Sequence, residues 1–438
     1  MSESYDHLRE RAQNVDETRT SRRLREAVDT TLDPMEVPLD QINVANPELF
    51  KHQLIYPYFK RLRDEAPVHY CSESQYGPYW SITRYHDIME VDRNHQVFSS
   101  SFKYGGVTIT GSPNSNAEIP NFISMDPPDH SGQRQAVAPG LAPARLAEMQ
   151  SLIRERVVEI LDTLPVNETF DWVPRVSVEL TGRMLATVLG VPQEDRDKLI
   201  RWSNAISNAD NPEYTSSAAG FYETLAEMGD YFSAIWEERK AAEGPGDDLI
   251  SMLAWGQHTA QMDRKQLLGN MLLLMVGGND TTRNSITGGL LALNQFPEQY
   301  AKLRANPELI PSMVAEIIRW QTPLVSMRRT AVEDFTMHGQ RIRKGDMVMM
   351  WYLSGNRDER AIEQPDEFII DRARPREHLS FGFGIHRCLG NRLAEMQLRT
   401  LWEELLPRYP EVEVVGEPER ASSPIFHAIN SLPVIIRH

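Results

Sequence analysis

The sequence predicts a mainly α fold with small β-sheets, and three observations carry that prediction. Two long tracts of helical periodicity dominate the chain. One is opened by Asp263 and stopped by Pro297; the other runs from Leu389 to Leu406, with apolar residues at Leu389, Leu393 and Met396. Strand signals are short and few by comparison. The 438 residues are 41% hydrophobic and 25% charged, the balance of a globular chain with a sizeable core.

In chain order, residues 1–40 are charged throughout and read as an N-terminal arm or surface helix, while residues 41–438 read as a single domain. Gly77–Thr83 has the aromatic and β-branched content of a strand. The stretch Ser99–Asn121, rich in Gly, Ser and Asn, reads as a long loop of the kind that usually serves function. Helices are predicted at Ala144–Leu164, Val176–Leu189 and Ala218–Glu243. Asp263 then caps the central tract, with Gln266 three residues on as in a capping box. At ~1.5 Å per residue its roughly 30 residues span about 45 Å, enough to cross the molecule and be buried for much of that length. A helix at Pro311–Gln321, strands at Phe335–Ile342 and Asp346–Tyr352 and a second long loop, Asp371–Ile385, lead to the last helix.

The net charge of −16 argues against a general nucleic-acid surface. Only Cys71 and Cys388 occur, so no disulfide framework is expected and a reducing compartment, the cytoplasm, fits best. The most apolar stretch, Leu267–Val276, is shorter than the ~20 residues of a membrane span, and no membrane span is expected.

The strongest chemical signal is Phe381-Gly-Phe-Gly384-Ile-His386-Arg387-Cys388-Leu-Gly390, a cysteine among glycines just before a helix. A helix N-terminus stabilises a thiolate through its partial positive charge and free N–H groups. Glycines let backbone approach something large and flat. The plainer alternative is a core cysteine in a glycine-rich turn. Glu316 and Arg319 share a helix face, where an exposed pair contributes only a few tenths of a kcal/mol. Gly277 and Gly278 each cost a helix ~1 kcal/mol relative to Ala, an expense that close approach of a ligand can offset. Thr281 can bond back to a carbonyl there and open a kink, and Asp280 beside it can feed protons.

Phe381, Gly384, Cys388 and Gly390 stand at the spacing F-x-x-G-x-x-x-C-x-G, which resembles the haem-binding loop of the cytochromes P450. Glu316-Ile-Ile-Arg319 resembles that family's E-x-x-R, with Arg372 as the third member of a buried ion network. Gly277-Gly278-Asn-Asp280-Thr281-Thr resembles its central-helix motif, and Met125-Asp-Pro-Pro-Asp-His130 with Arg134 its further haem-facing stretch. The four motifs stand in the family's order across nearly the whole chain. The resemblance implies a cytochrome P450 fold holding haem b between the long central helix and the cysteine-loop helix, with Cys388 as axial ligand. It also implies Asp280 and Thr281 as the proton-delivering pair, and His130, Arg134, Arg329 and His386 as partners of the haem propionates, with Arg328 as the alternative to its neighbour.

The segments GGNDTTRNS, HLSFGFGIHRCLGNRLAEMQLR and SFKYGG further resemble a bacterial subgroup that hydroxylates the terminal carbon of medium-chain alkanes, fatty acids and related linear molecules. A small apolar substrate and O2 are implied, with pocket walls expected at Val107, Ile109, Leu273, Leu274, Leu324, Val325, Met327, Ile425 and Phe426. The chain runs only 48 residues beyond Gly390, so electrons are expected from a separate ferredoxin and its NAD(P)H-dependent reductase, docking on Arg387, Arg392 and Arg399. The alternatives are a bulkier terpene- or steroid-like substrate, a peroxide-driven enzyme, against which the intact Asp280-Thr281 pair speaks, and a non-catalytic haem protein.

Overall fold

The structure, a computed structural model, describes residues 5–14, 29, 32–111, 119–207 and 217–437. Its spine is the central helix Arg264–Gln295. Asp263 caps it by accepting a hydrogen bond from the Gln266 N–H at 2.8 Å, and Pro297 opens the next helix, Pro297–Ala305. Helices Glu179–Leu189, Arg196–Ser207, Ala218–Ala241, Ile310–Gln321 and Asn391–Arg408 pack around the spine.

Two apolar clusters share this helix between them. Ile286, Leu290 and Leu293 pack with Trp172, Ile317 and Trp402, whereas Met271 and Met275 pack with Leu185, Trp202 and Phe232. Full burial of each such side chain contributes roughly 1.5–3 kcal/mol, so the spine is held along most of its length.

A five-stranded sheet flanks the helices in the order Val68–Cys71, Tyr79–Ile82, Met347–Trp351, Ser326–Ala331, Phe98–Ser99. All its pairings are antiparallel except that of Tyr79–Ile82 with Met347–Trp351. Arg328 stands opposite Met349 and Arg329 opposite Val348, so the two arginines leave opposite faces of the sheet. A three-stranded sheet joins Thr169–Asp171, Pro433–Ile436 and Val412–Val414.

The architecture is mainly α with small sheets, as the sequence predicts, and the differences are local. Phe335–Ile342 is not one strand but a hairpin, Phe335–Met337 with Gln340–Ile342. His338 and Gly339 both take positive φ, 47° and 77°, the turn geometry that a right-twisted hairpin favours. The last helix begins at Asn391 rather than Leu389, because Gly390 occupies its N-cap, and it runs on to Arg408. Val176–Leu189 is a π-type turn, Val173–Val178, followed by a helix, Glu179–Leu189.

The expected N-terminal arm lies partly outside the described residues. Within it, Asp6–Asn14 is a helix whose Leu8 is buried. Among the described residues no helix is long and apolar enough to cross a membrane.

Candidate active site

The loop before the last helix presents Cys388. Its N–H donates to the Phe381 carbonyl at 2.8 Å, while Gly384–His386 forms a single 3-10 turn. Gly384 has φ +69°, and a Cβ there would stand 2.5 Å from the Asp92 carbonyl oxygen, so both backbone conformation and space require glycine. The Cys388 side chain is reached by solvent. It is nevertheless enclosed enough that burial pushes its thiol pKa up, while the Gly390 N–H, Arg134, Arg387 and the Asn391 N–H pull it back toward the thiolate. Cys71, by contrast, is a core residue whose Sγ donates to the Glu73 carbonyl.

Three sets of bonds hold this loop. Asp92, from helix Tyr85–Arg93, accepts from the Phe383 N–H and the Tyr352 hydroxyl, both at 2.9 Å, and from Arg329 Nη2 at 2.6 Å; Asp92 and Arg329 are each 1% exposed. Sequence reasoning misses Asp92, which belongs to no motif and reaches the loop across 291 positions.

The second set starts from Glu316, which is fully buried. Its carboxylate takes both Arg319 Nε and Nη2 at 2.8 Å, Arg372 Nε at 2.9 Å and the Ile369 N–H at 2.8 Å. The exposed-pair alternative is thereby replaced by an interior network. Arg319 Nη1 donates onward to the Asn356 and Pro365 carbonyls, at 2.9 and 2.8 Å. Asn356 in turn accepts from the Leu379 N–H and donates to Ser380 Oγ, immediately before Phe381. Asn356 is a second residue without a motif signal. The third bond runs from Arg134 Nη2 to the Arg387 carbonyl.

On the central helix, Gly277 and Gly278 are exposed in the middle of an otherwise buried element. Among the described residues, a Cβ at Gly277 would meet nothing within 4 Å, and the same holds at Gly390. Thr281 Oγ1 donates back to the Gly277 carbonyl at 3.0 Å, as expected, within an unbroken helix. Asp280 is engaged on another side of the helix. It turns away from the glycine face, 1% exposed, pairing with Arg283 at 2.7 Å and accepting from Ser203 Oγ at 3.3 Å and from Ser207 Oγ. On a helix, adjacent residues point about 100° apart, so only Thr281 fronts the open side.

His130 and His386 place their ring centroids 4.2 Å apart, and among the described residues all four ring nitrogens are buried without a hydrogen-bond partner. Burial, and then Arg134, pushes the His130 pKa down to about 4; burial and then Arg329 push His386 down as well. Two imidazoles and two guanidiniums thus converge beside Cys388, with the Asp92 carboxylate bound to Arg329. Unsatisfied buried donors are costly, and this set matches the anionic edge of a flat cofactor whose faces would lie along the open glycines. Arg328 is excluded from the set because its strand position aims it at the opposite face.

The expected pocket walls divide. Leu324, Met327, Ile425 and Phe426 are partly exposed and joined by a Leu324–Phe426 bridge and by the Val325 N–H bonded to the Ile425 carbonyl at 2.8 Å. Leu273 and Leu274 are likewise partly exposed, one turn before Gly277. Val107 is nearly buried, with its carbonyl bonded to the Arg328 N–H. Val325 and Ile109 are not walls: both pack into the core around Trp351. Alternation along the extended chain turns Val325 inward where Leu324 turns out.

The expected docking patch also divides. Arg387 and Arg392 are exposed. Arg399 is paired with Glu403 at 2.6 Å, while Glu395 pairs with Arg376 rather than with either helix arginine.

A cysteine held on a braced loop, an open glycine face on a long helix and a cationic, hydrogen-bond-starved edge define a haem-thiolate protein. The family model for Cytochrome P450 matches residues 213–427. Linalool 8-monooxygenase of Pseudomonas putida is 37% identical over 407 residues, covering 91% of this chain and 99% of the relative. The methyl-branched lipid omega-hydroxylase of Mycobacterium bovis is 31% identical, covering 92% and 96%. The solved structure of cytochrome P450-153 from Novosphingobium aromaticivorans superposes with a TM-score of 0.85 at 41% identity, covering 90% of this chain and 99% of that one. The chain belongs to the cytochrome P450 family. It is a P450 monooxygenase, and its cofactor is haem b.

Replacing Glu316 by Gln leaves Arg319 and Arg372 as buried cations without their counter-ion. The variant should lose about 3–5 kcal/mol of stability, read as a lowered urea midpoint of the haem absorbance. A change below about 1 kcal/mol would mark a solvent-screened pair instead.

Proposed function

We propose that the protein inserts one oxygen atom from O2 into a C–H bond at the chain end of a linear or sparsely branched apolar substrate. In this reading Cys388 is the axial haem ligand, residues 41–438 act as one catalytic unit, and ferredoxin with its NAD(P)H-dependent reductase supplies electrons. The observation that carries the site assignment is the orphaned His130–His386 pair beside Cys388, which together with Arg134 and Arg329 fits the propionate edge of haem. When bound, haem b supplies a redox-active iron that activates dioxygen.

The chain's own residues supply the rest. The Gly390 and Asn391 N–H groups and two guanidiniums favour the Cys388 thiolate, which a metal cation favours further. Thr281 Oγ1, anchored on the Gly277 carbonyl, is the group placed to hold a proton or a water at the open face. Asp280 Oδ2 accepts from Ser203 and Ser207, and its route to that face requires release from Arg283 and the serines. The intact acid and alcohol speak for O2-driven rather than peroxide-driven chemistry.

The partly exposed apolar side chains Leu273, Leu274, Leu324, Met327 and Phe426 are the candidate walls for a narrow hydrocarbon substrate, since terminal attack needs a channel that presents only the chain end. The omega-hydroxylase relative supports the same regiochemistry. The linalool 8-monooxygenase relative favours a second reading, an acyclic terpenoid. Spectral titration with alkanes, fatty acids, linalool and a bulky bicyclic terpene separates the two: tightest binding of the bicyclic ligand would overturn both.

The dithionite-reduced, carbon monoxide-bound protein should show the red-shifted Soret band of thiolate ligation. Cys388→His should abolish that band and Cys71→Ala should keep it; a normal band in Cys388→His removes the assignment. Thr281→Ala should keep haem and fold but lower product formed per NADH consumed by about tenfold or more, with the balance appearing as hydrogen peroxide. Unchanged coupling would mean that protons reach the site without Thr281. For electron delivery, Arg392→Glu should slow reduction by ferredoxin in stopped flow, with the defect shrinking as salt is raised. Arg399→Glu should do less, because Arg399 is held by Glu403, a carboxylate that Arg154 also shares; equal effects at the two positions would contradict this patch.

A further inference from the structure

Among the described residues, Asp92 is the carboxylate that bonds both to the cationic edge and to the cysteine loop. Oδ1 accepts from Arg329 Nη2 at 2.6 Å, while Oδ2 accepts from the Phe383 N–H and the Tyr352 hydroxyl at 2.9 Å. The loop curls around this side chain at two glycines of positive φ, Gly382 at +66° and Gly384 at +69°. A Cβ at Gly382 would stand 3.6 Å from Asp92 Oδ2, and one at Gly384 would stand 2.5 Å from the Asp92 carbonyl oxygen. A full negative charge is therefore enclosed by the segment that carries Cys388.

Bracing the loop does not require that charge. The Phe383 N–H is a neutral donor, and burial, then Asp92, holds the Tyr352 hydroxyl well above its ordinary pKa, so it too stays a neutral donor. An amide oxygen could accept from either. A buried carboxylate is costly to desolvate, so its presence points to a role for the charge itself.

The charge acts on the cationic edge. Arg134 and Arg329 are the guanidiniums there, and Asp92 cancels one of them. Arg329 Nη1 is otherwise committed to the Arg328 carbonyl at 2.8 Å, and Arg134 Nη2 to the Arg387 carbonyl, both neutral partners. Asp126, the other carboxylate near His130, accepts from Ser99 Oγ at 2.5 Å and the Ser100 N–H at 2.9 Å. Arg93 lies over the Phe383 ring but is exposed, where solvent screens it. Two propionates would thus meet two guanidiniums less one buried carboxylate.

We propose that Asp92 sets the haem reduction potential: its buried carboxylate offsets the charge of Arg329 at the propionate edge and so biases the iron toward the ferric state. Reduction moves one electron from an iron–sulfur donor to ferric iron, with no bond formed or broken and no proton moved at Asp92. Nearby negative charge in a poorly screened interior makes that transfer less favourable. The assignment rests on the haem-edge reading given above.

The test measures the reduction equilibrium of the haem-loaded full-length protein against the dye safranin T, for the wild type and three variants. Asp92→Asn removes the charge and keeps an oxygen for the Phe383 N–H. Its equilibrium should shift about tenfold or more toward the ferrous form, about 59 mV for one electron. Asp92→Glu keeps the charge but misplaces the acceptor: amide exchange over residues 379–384 should accelerate, while the equilibrium stays within about threefold of wild type. Tyr352→Phe leaves the carboxylate less compensated, so the equilibrium should move about twofold toward the ferric form. An Asp92→Asn equilibrium within about twofold of wild type, or an equal shift in Asp92→Glu, would overturn the proposal. If Asp92→Asn fails to retain haem, Tyr352→Phe decides: no movement, or movement toward the ferrous form, would overturn it. Lack of the thiolate carbon monoxide band in the wild type would instead remove the site assignment, whereas an intact band with an unmoved Asp92→Asn equilibrium removes only the role of Asp92.

Discussion

One buried carboxylate organises the cysteine side of the molecule. Glu316 has no access to solvent, yet it is shared by Arg319, Arg372 and the Ile369 N–H. Two guanidiniums on one carboxylate leave an excess positive charge that only backbone carbonyls can satisfy. They do so at Asn356, Pro365, Glu363, Gln364 and Glu367, which forces the chain between the Met347–Trp351 strand and the cysteine loop to wrap around the pair. The wrapping places Asn356 where it captures Leu379 and Ser380, so the position of Cys388 is a downstream consequence of charge burial.

The two sides of the haem site are built to different stiffness. On the cysteine side, Leu379, Ser380, Phe383 and the Arg387 carbonyl are each bonded to a different element, which over-determines the loop. On the other side, among the described residues, Thr281 leans only on its own helix, and Asp280 is committed to Arg283 and to two serines of helix Arg196–Ser207. Electron donation by a thiolate needs fixed geometry, whereas passage of substrate and protons needs parts that can exchange partners. Under the roles proposed for Thr281 and Asp280, the distribution of bonds matches those two needs.

Strand alternation does similar sorting among like residues. Arg328 and Arg329 differ by one position, yet one is matched by Asp92 at the polar edge and the other is spent on loop carbonyls. Leu324 and Val325 differ by one position, yet one is partly exposed and the other is buried in the Trp351 core. Within the strand a period of two separates Arg328 from Arg329, while Leu324 and Val325 part just before it begins.

By itself the sequence determined the helical class, the capped central helix, the cysteine loop with its glycines and the partners Glu316, Arg319 and Arg372, because each is written in local spacing or in a motif of a few residues. Helix ends at Asp263 and Pro297 follow from capping and from the missing proline N–H, which act within one turn. Only the tertiary structure decided that Asp92 and Asn356 brace the loop, that Asp280 faces the serines and not the glycines, that Val325 and Ile109 are core, that Arg399 pairs with Glu403 and that Phe335–Ile342 turns back on itself. Three of those five depend on which face of an element meets which neighbour across tens to hundreds of residues, a relation that the identity of a residue does not encode; the Arg399–Glu403 pair, four positions apart on one helix, and the hairpin, set by two positive φ angles at His338 and Gly339, are the local exceptions.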